Sequence, residues 1–561
     1  MVVLRPQSEF GHAPPPQTPY SIVTNLPGWD VAKAIRDGDM SALARIVHIY
    51  PRFSPTQYAA ELGKAIAKTL GLEGLVALPY LNPEIGSYTR RHVTLEQRKE
   101  HVMKPEDVLF RCVDVGGHRV YTVLYEPRHM KGAMATWSNP GIGLSIRAGE
   151  QLLKDIDTMK EVEMPSDIRA TVADMPTPTW TPEGPSHQGI RERIVELLHR
   201  APLDPAKVAC EPKDVFLYPT GMAAVFHTSN TLLRHRPGTI VVLGVVFHNT
   251  YHHLVEESPH GWKHFGRVDD QGIDAFESWL DEETKSGRIV SHTLVEVPGN
   301  PTLDTVDITR LRNLSIKHGF ILILDDTIAG FGNVDILNES DILLTSLTKS
   351  FSGQSNVMGG SIVLNPLSPH YHAISSVISS THHNELFIAD ADVLLANSQD
   401  FLPRTRRLNR NAHAMAAFLD GTIADPDSPV VNVQYPALLS SKGLYDKFKR
   451  PSTKELPEPG YGCLMTVEFE TVATARAFYD RLGFYPSPHL GGHVSLSFCY
   501  NMLMFSKMPE ESAYMRTCGV KEESVRISAG LEDVEDLIDT LKDALDAAIE
   551  AKKNGGGAES T

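Results

Sequence analysis

The sequence predicts an α/β protein: a large domain on a mostly parallel sheet, followed by a smaller α+β domain at the C-terminal end. Short apolar or β-rich runs at 240–243, 289–295, 321–324, 342–345 and 361–364 alternate with stretches whose apolar residues recur at helical spacing. That alternation is the pattern of strands covered on both faces by helices. Further on the pattern changes, with 464–469 and 524–528 alternating as half-buried strands while 474–482 and 533–549 repeat at helical period. Size points the same way, because 561 residues exceed the roughly 250–300 at which a single core stops growing.

Taken in order, residues 1–25 are proline-rich and read as an irregular arm wrapping over a partner surface. A helical pattern over 41–49, with Leu43, Ile46 and Val47 apolar, leads into Tyr50-Pro51-Arg52-Phe53-Ser54-Pro55-Thr56. A second helix then runs to about Leu70. Taken alone, the Tyr50/Arg52 pair reads as a structural turn. The segment 71–205 mixes a β-like piece at 119–124, helical pieces at 144–159 and 190–198, and a proline-rich linker at 175–185. No chemical task attaches to it. Strand–helix alternation fills 206–400, where Asp307 stands at the N-cap of a helix bearing Ile308, Leu311 and Leu314, and Gly319 is placed to end it. A helix over 405–419, carrying Leu408, Ala412, Met415, Ala416 and Leu419, opens the C-terminal domain at 401–550. The end of the chain, 551–561, reads as a disordered tail.

Composition narrows the classes. Hydrophobic content of 42% and charged content of 22% are those of an ordinary soluble protein. A net charge of −16 argues against nucleic acid, yet leaves room for a local positive pocket. The longest apolar run, about eight residues at 240–247, is far short of the ~20 that cross a bilayer. The start, Met1-Val2-Val3-Leu4-Arg5-Pro6-Gln7, shows no charged-then-apolar signal, so a cytoplasmic location is expected. Cys112, Cys210, Cys463, Cys499 and Cys518 lack paired spacing and read as reduced core residues. His252-His253 and His382-His383 lack any HExxH pattern, and no metal is expected.

The chemistry gathers at Asp341-Ile342-Leu343-Leu344-Thr345-Ser346-Leu347-Thr348-Lys349. An apolar strand there stops at hydroxyls and one lysine. Ser346 and Thr348 alternate with Leu347, so both hydroxyls can face one anion. A desolvated lysine loses proton affinity and becomes a nucleophilic amine. A lone lysine past a strand end is more often a surface residue, but its companions reverse that reading. Tyr218-Pro219-Thr220-Gly221-Met222 is a glycine turn opening a helix, which offers bare amides to a phosphate. Glu296-Val297-Pro298-Gly299-Asn300-Pro301 reads as a loop at a strand end. The apolar strand 320–324 ends at Asp325-Asp326-Thr327, where a carboxylate could pair with a protonated ring nitrogen. Arg526 sits inside an apolar strand, where a bidentate carboxylate would relieve its desolvation. Turn-forming roles for Asp325 and Asn300 stay open.

Glycine turn, strand-end aspartate and Ser-x-Thr-Lys, in that order, resemble the Cys/Met-metabolism family of pyridoxal-phosphate (PLP) enzymes, which includes cystathionine γ-synthase and its lyase relatives. The front end, from Pro14 through Leu26-Pro27-Gly28-Trp29 to Tyr50-Pro51-Arg52-Phe53, is similar to the fungal cystathionine γ-synthases. The resemblance implies PLP fold type I, amino-acid substrates, and a homodimer or homotetramer without nucleic-acid or membrane partners. It implies that Lys349 carries PLP and shuttles protons, and that Asp325, with Thr327 beside it, keeps the ring nitrogen protonated. Gly221, Met222, Ser346 and Thr348 would cradle the phosphate, Asn300 would stand beside the phenolic oxygen, and Arg526 would bind the substrate α-carboxylate. Tyr50 and Arg52 would reach the phosphate of a neighbouring subunit. The implied reaction is γ-replacement, joining an O-acylhomoserine to L-cysteine in transsulfuration and methionine biosynthesis. A paralogue of fungal secondary metabolism using another nucleophile, or a non-catalytic regulatory relative, are the alternatives.

The chain also departs from the family pattern. The ring-stacking tyrosine falls on Phe247, which stacks but transfers no proton, so acid–base work would move to Tyr251, His248, Lys349 or water. The Tyr50/Arg52 motif is one residue short and lacks its asparagine. The Ser-Leu-Gly-Gly turn appears as His489-Leu490-Gly491-Gly492, and Val494 stands where many members carry Glu.

Overall fold

Three sheets organise the chain in the order in which they are made. In a computed structural model, residues 2–39, 41–164, 172–256 and 258–555 are described. The first sheet is antiparallel, with β1 (Val76–Tyr80), β2 (Val108–Val115), β3 (His118–Tyr125) and β4 (Lys160–Val162) in the order β1-β3-β2-β4. Gly116 and Gly117 turn the β2–β3 hairpin with φ of 58° and 80°, a conformation that a side chain would strain.

The central sheet holds β5 (Val215–Tyr218), β6 (Thr239–Leu243), β7 (Trp262–Phe265), β8 (Val290–Glu296), β9 (Ile321–Asp325), β10 (Ile342–Thr345) and β11 (Gly360–Leu364). Their order is β5-β11-β10-β9-β8-β6-β7. The run from β10 to β7 is parallel, and β11 lies antiparallel to both its neighbours. Every residue of β8, β9 and β10 is buried, which explains why β9 and β10 read as nearly unbroken apolar runs, whereas β8 also buries Ser291, His292 and Thr293. The Asp307 side chain accepts from the Arg310 amide, and Gly319 closes that helix at φ 72°. The C-terminal sheet orders β12 (Val430–Gln434), β13 (Leu464–Phe469), β14 (Tyr485–Pro486), β15 (Leu496–Phe498) and β16 (Ser524–Ser528) as β12-β13-β16-β15-β14.

Four stretches differ from the sequence reading. Over 41–49 there is one 3₁₀ turn, Leu43–Arg45, rather than a helix. The amides of Val47 and His48 both go to the carbonyl of Gly11, so the N-terminal arm takes the backbone that a helix would need. The proline-rich linker gives way early to a helix, Pro185–His199, whose first residue is proline, where its missing N–H costs nothing. The helical piece near 144–159 is a helix only over Ile146–Lys154, with a 3₁₀ turn after it. At the far end the last helix, Val534–Lys553, runs into the expected tail because Lys552 donates to the carbonyls of Pro426 and Ser428 and pairs with Glu470. Residues 556–561 of that tail lie outside the described residues.

The arm is irregular, as read, but the surface it covers is its own chain. Leu4 donates to Thr540 Oγ1 at 2.8 Å, Ile22 to the carbonyl of Ser355 at 2.9 Å, and Leu26 to that of Pro486 at 2.9 Å. The segment 71–205 is not a separate body either. Tyr80, Tyr88 and Trp137 share one continuous core with Met222, Phe226 and Ile362 of the large domain. The helix Gln57–Thr69 belongs to that core through Ala59, Leu62 and Ile66, whereas Ile190, Ile194 and Leu198 join Leu217 and Leu394 on the other side of the sheet. Divisions at 70 and 205 therefore cut through packing units. All five cysteines are free, and among the described residues no helix is long and apolar enough to cross a membrane.

Asp341 anchors the strand that leads to Lys349. It is fully buried, accepts from Arg312 at 2.8 Å and Ser368 at 2.5 Å, and takes the Leu322 amide of β9 at 2.7 Å. Truncation would leave the Arg312 charge buried and unpaired. Asp341→Ala is expected to cost roughly 3–5 kcal/mol in urea unfolding. A loss below about 1 kcal/mol, the worth of a surface pair, would refute the anchoring role.

Candidate active site

The carboxyl ends of β8, β9 and β10 open into a cleft of about 810 Å³. Its lining includes Tyr50, Arg52, Gly221, Met222, Phe247, Asn300, Asp325, Thr327, Ser346, Thr348, Lys349 and Arg526. Every site residue expected from the sequence thus faces one space. Tyr251 and His248, offered as substitutes for the missing tyrosine, do not line it; Tyr251 packs edge-on to His264 and His248 against His252.

One wall is cationic. Burial, with Arg526 and Arg52 adding repulsion, pulls the Lys349 amine below the ordinary lysine range against the opposing pull of Tyr50. Lys349 Nζ donates to the Tyr50 hydroxyl at 3.4 Å and to His489 Nδ1 at 3.2 Å. Arg52 is half-buried, its charge disfavoured by desolvation, and it donates to the carbonyl of Ser138 at 2.9 Å. Arg526 lies 3.9 Å over the Tyr500 ring, donates to Asn300 Oδ1 at 3.1 Å and hydrogen-bonds the carbonyl of Pro488. Among the described residues, none of the three cations has a carboxylate within ion-pair distance.

The same cleft is lined by two carboxylates. Glu296 and Asp325 stand side by side at the ends of β8 and β9. Desolvation pushes the Asp325 carboxyl up to about 6 against the hydrogen bonds from Thr327, and desolvation followed by repulsion from Asp325 raises Glu296 well above its usual range. Glu296 accepts the Phe247 amide at 2.7 Å, which sets that ring at the cleft. Sequence reading passed over Glu296, although an acidic residue ending a buried run was its signal. It also passed over Tyr500.

The phosphate-type cradle differs in one detail from expectation. The strand stops at Thr345, so Ser346 and Thr348 do not share a strand face. Ser346 donates its amide to Thr327 Oγ1 at 2.8 Å, and the Thr348 hydroxyl is held by the main chain of Gly359. Thr220 caps the helix Gly221–His235 by accepting the Ala223 amide, leaving the Gly221 and Met222 amides at its open end. A Cβ on Gly221 would sit 2.8 Å from the Ser346 side chain, so only glycine lets the turn approach this closely.

Tyr50 and Arg52 were expected to cross a subunit boundary; they enter the cleft of their own chain. Residues 137–141 bring them there. Trp137 Nε1 donates to the carbonyl of Pro51 at 2.9 Å, Ser138 Oγ to that of Arg52 at 2.6 Å, and Thr220 Oγ1 to that of Gly141 at 2.9 Å. A Cβ on Gly141 would lie 2.8 Å from the Arg52 guanidinium and 2.5 Å from Thr220 Oγ1. The segment 71–205 thus holds both residues at the cleft of their own chain.

Outside the cleft, His248, His252 and Glu511 bring one ligand atom each within 4.8 Å of one another. His252 Nε2 and Glu511 Oε1 lie 3.4 Å apart, bridging two helices.

Residues 208–546 match the family described as Cys/Met metabolism PLP-dependent enzyme. The chain belongs to that family. It is an enzyme, and its cofactor is pyridoxal 5′-phosphate. Relatives similar over the whole length include alanine racemase ungC of Aspergillus violaceofuscus, 29% identical over 97% of both chains. The cystathionine gamma-synthase-like protein ankD of Aspergillus thermomutatus is 30% identical over 96% of this chain and 94% of that one. Cystathionine gamma-synthase of Neurospora crassa is 34% identical over 60% of this chain and 52% of its own. A crystal structure of cystathionine gamma synthase from Xanthomonas oryzae pv. oryzae superposes with a TM-score of 0.52 at 22% identity, over 66% of this chain and 87% of that one. The fold is PLP fold type I.

The cleft suits this cofactor. A phosphate dianion and a protonated ring nitrogen lie at opposite ends of PLP, and the cleft sets unpaired cations and a glycine cradle against a desolvated carboxylate pair.

If Arg52 serves its own chain, mixing inactive Arg52→Ala and Lys349→Ala proteins under conditions of verified subunit exchange restores no activity. Recovery toward a quarter of the wild-type rate would return the pair to a partner's site.

Proposed function

We propose that the protein is a γ-replacement enzyme of the cystathionine γ-synthase type, joining an O-acylhomoserine to L-cysteine to give cystathionine. The observation that carries this is the presence of Arg526 and Lys349 in one cleft, each desolvated and without a carboxylate partner among the described residues. A substrate α-carboxylate would relieve Arg526, with the substrate Cα turned toward the Lys349 amine.

When bound, PLP supplies the electron sink that makes the protons on the substrate's Cα and then Cβ acidic. Lys349 carries the cofactor and moves protons as a general base with lowered proton affinity. The Gly221 and Met222 amides, Ser346, Thr348, Tyr50 and Arg52 would hold the phosphate. Asp325, oriented by Thr327 and beside Glu296, would pair with the ring nitrogen, while Phe247 would offer an apolar ring for stacking and transfers no proton. Asn300 Oδ1 accepts from Arg526 and holds that guanidinium in place, which leaves its amide nitrogen to donate to the phenolic oxygen as the resemblance implied. Ile22, Val225 and Leu490 line the cleft and exclude water from it. The γ substituent leaves with its bonding electrons, and the cysteine thiolate adds at the γ carbon.

Full-length likeness to a cystathionine gamma-synthase-like protein supports this reading. Equal coverage by a protein named alanine racemase favours a second one, in which the Cα proton is removed and returned on the other face without γ chemistry. A place in methionine biosynthesis, a cytoplasmic setting and a homodimer or homotetramer belong to the first reading and rest on family likeness.

The test incubates purified holoenzyme with acetyl-, succinyl- or phosphohomoserine plus cysteine and identifies products by mass. Cystathionine is expected. D-alanine from L-alanine with no γ product selects the second reading, and a γ product with another thiol or carbon nucleophile selects a specialised paralogue. In the same assay Arg526→Ala should weaken amino-acid affinity by about 2–5 kcal/mol while leaving the cofactor absorbance intact. Unchanged affinity would remove Arg526 from the site. Separately, borohydride reduction of the yellow holoenzyme should place the pyridoxyl mass on Lys349, and a label on another lysine would refute that assignment.

A further inference from the structure

The loop between β14 and β15 is fixed from two sides. Arg526 hydrogen-bonds the carbonyl of Pro488, and the Gly491 amide donates to Ser528 Oγ at 3.0 Å. Between these anchors His489 is only 1% exposed, and its Nδ1 accepts from Lys349 Nζ at 3.2 Å. Its Nε2 has no hydrogen-bond partner among the described residues. The groups facing it are Lys349, Arg526 and His493, with the Tyr50 ring edge-on at 6.4 Å. None is a carboxylate. Burial, together with the Lys349 and Arg526 charges, holds the imidazole neutral, so Nδ1 keeps its lone pair for the lysine and the ring proton sits on Nε2.

γ-Replacement, on the reading proposed above, removes protons from two adjacent carbons. One amine can serve both only if it is unloaded in between. We propose that His489 is the proton partner of Lys349, a positioning and relay residue that accepts the first proton so that the same amine can take the second. The Cα–H bond breaks as an N–H bond forms on Lys349 Nζ. That N–H proton passes to His489 Nδ1, giving an imidazolium and restoring the amine. The Cβ–H bond then breaks toward Lys349, and the leaving group departs with its electron pair. Both protons return to carbon after the nucleophile adds. The cationic surroundings make the imidazolium short-lived, which favours giving the proton back.

The experiment uses holoenzyme in D₂O with L-norvaline, an amino acid that has no γ leaving group. Deuterium at Cα and Cβ is read by NMR. Wild type exchanges both positions. In His489→Ala, Cβ exchange is expected to fall roughly 100-fold, the lower end of what a positioned acid–base group contributes, with Cα exchange falling far less. His489→Gln, which keeps an acceptor but cannot carry the proton, should match His489→Ala in exchange and guards against loss through misfolding. As a readout apart from turnover, the pH midpoint of the holoenzyme's cofactor absorbance should move down in His489→Ala, because a lone pair that stabilises a protonated Nζ is gone, and stay nearer wild type in His489→Gln. Undiminished Cβ exchange, or an unmoved midpoint, overturns the role of His489 while leaving the γ-replacement reading intact. Absence of Cβ exchange in the wild type overturns that reading, and the relay with it.

Discussion

A half-buried, desolvated ammonium group with no carboxylate beside it among the described residues is the constraint around which the molecule is arranged. Lys349 keeps company with Arg52 and Arg526, and desolvation disfavours the charge on all three. Such a cluster persists only where the scaffold over-determines each side chain. Asp341 fixes the start of β10, Asn300 and Tyr500 hold Arg526, and the Ser138 carbonyl holds Arg52. The sheet, the segment 71–205 and the C-terminal domain each hold one cation in place. What they hold is a demand for two anions, a phosphate and a carboxylate, which is the charge pattern of the cofactor and of its amino-acid substrates.

Much of the fold was legible because its signals are local. β9 and β10 are buried along their whole length, so their apolar runs could be read as strands without knowing their neighbours. The Asp307 cap and the Gly319 stop are written in the residues beside them. The pattern at 41–49 misled because nothing nearby announces that Gly11 will capture the amides of Val47 and His48. The same limit hid the nature of the segment 71–205. Its strands are visible as alternations, but that Tyr88 packs edge-on to Phe226 at 5.4 Å is a long-range fact with no local trace.

The site followed the same rule. Residues at strand ends and the glycine turn were legible because their chemistry is inconsistent with their apolar surroundings. Lys349 and Arg526 are the clearest cases. Glu296 had this signal and was read only as part of a loop. Which chain Tyr50 and Arg52 would serve could not be read from the sequence, because that depends on where residues 137–141 come to lie. His489 was visible only as a departure from a family turn. Its significance is a distance of 3.2 Å across the fold.

The two ends of the chain lie against each other, with Leu4 donating to Thr540 and Arg5 pairing with Asp543. A ribosome makes the first of these segments long before the second. The arm that places Ile22 in the cleft, and the Tyr50–Arg52 turn that follows it, must therefore wait for Arg526 and the final helix before the cleft has all its walls. Early in synthesis the apolar residues of the arm have no surface to cover. A product that stops short of Arg526 keeps Lys349 but lacks one of the cleft's three cations, together with the final helix against which the arm is held.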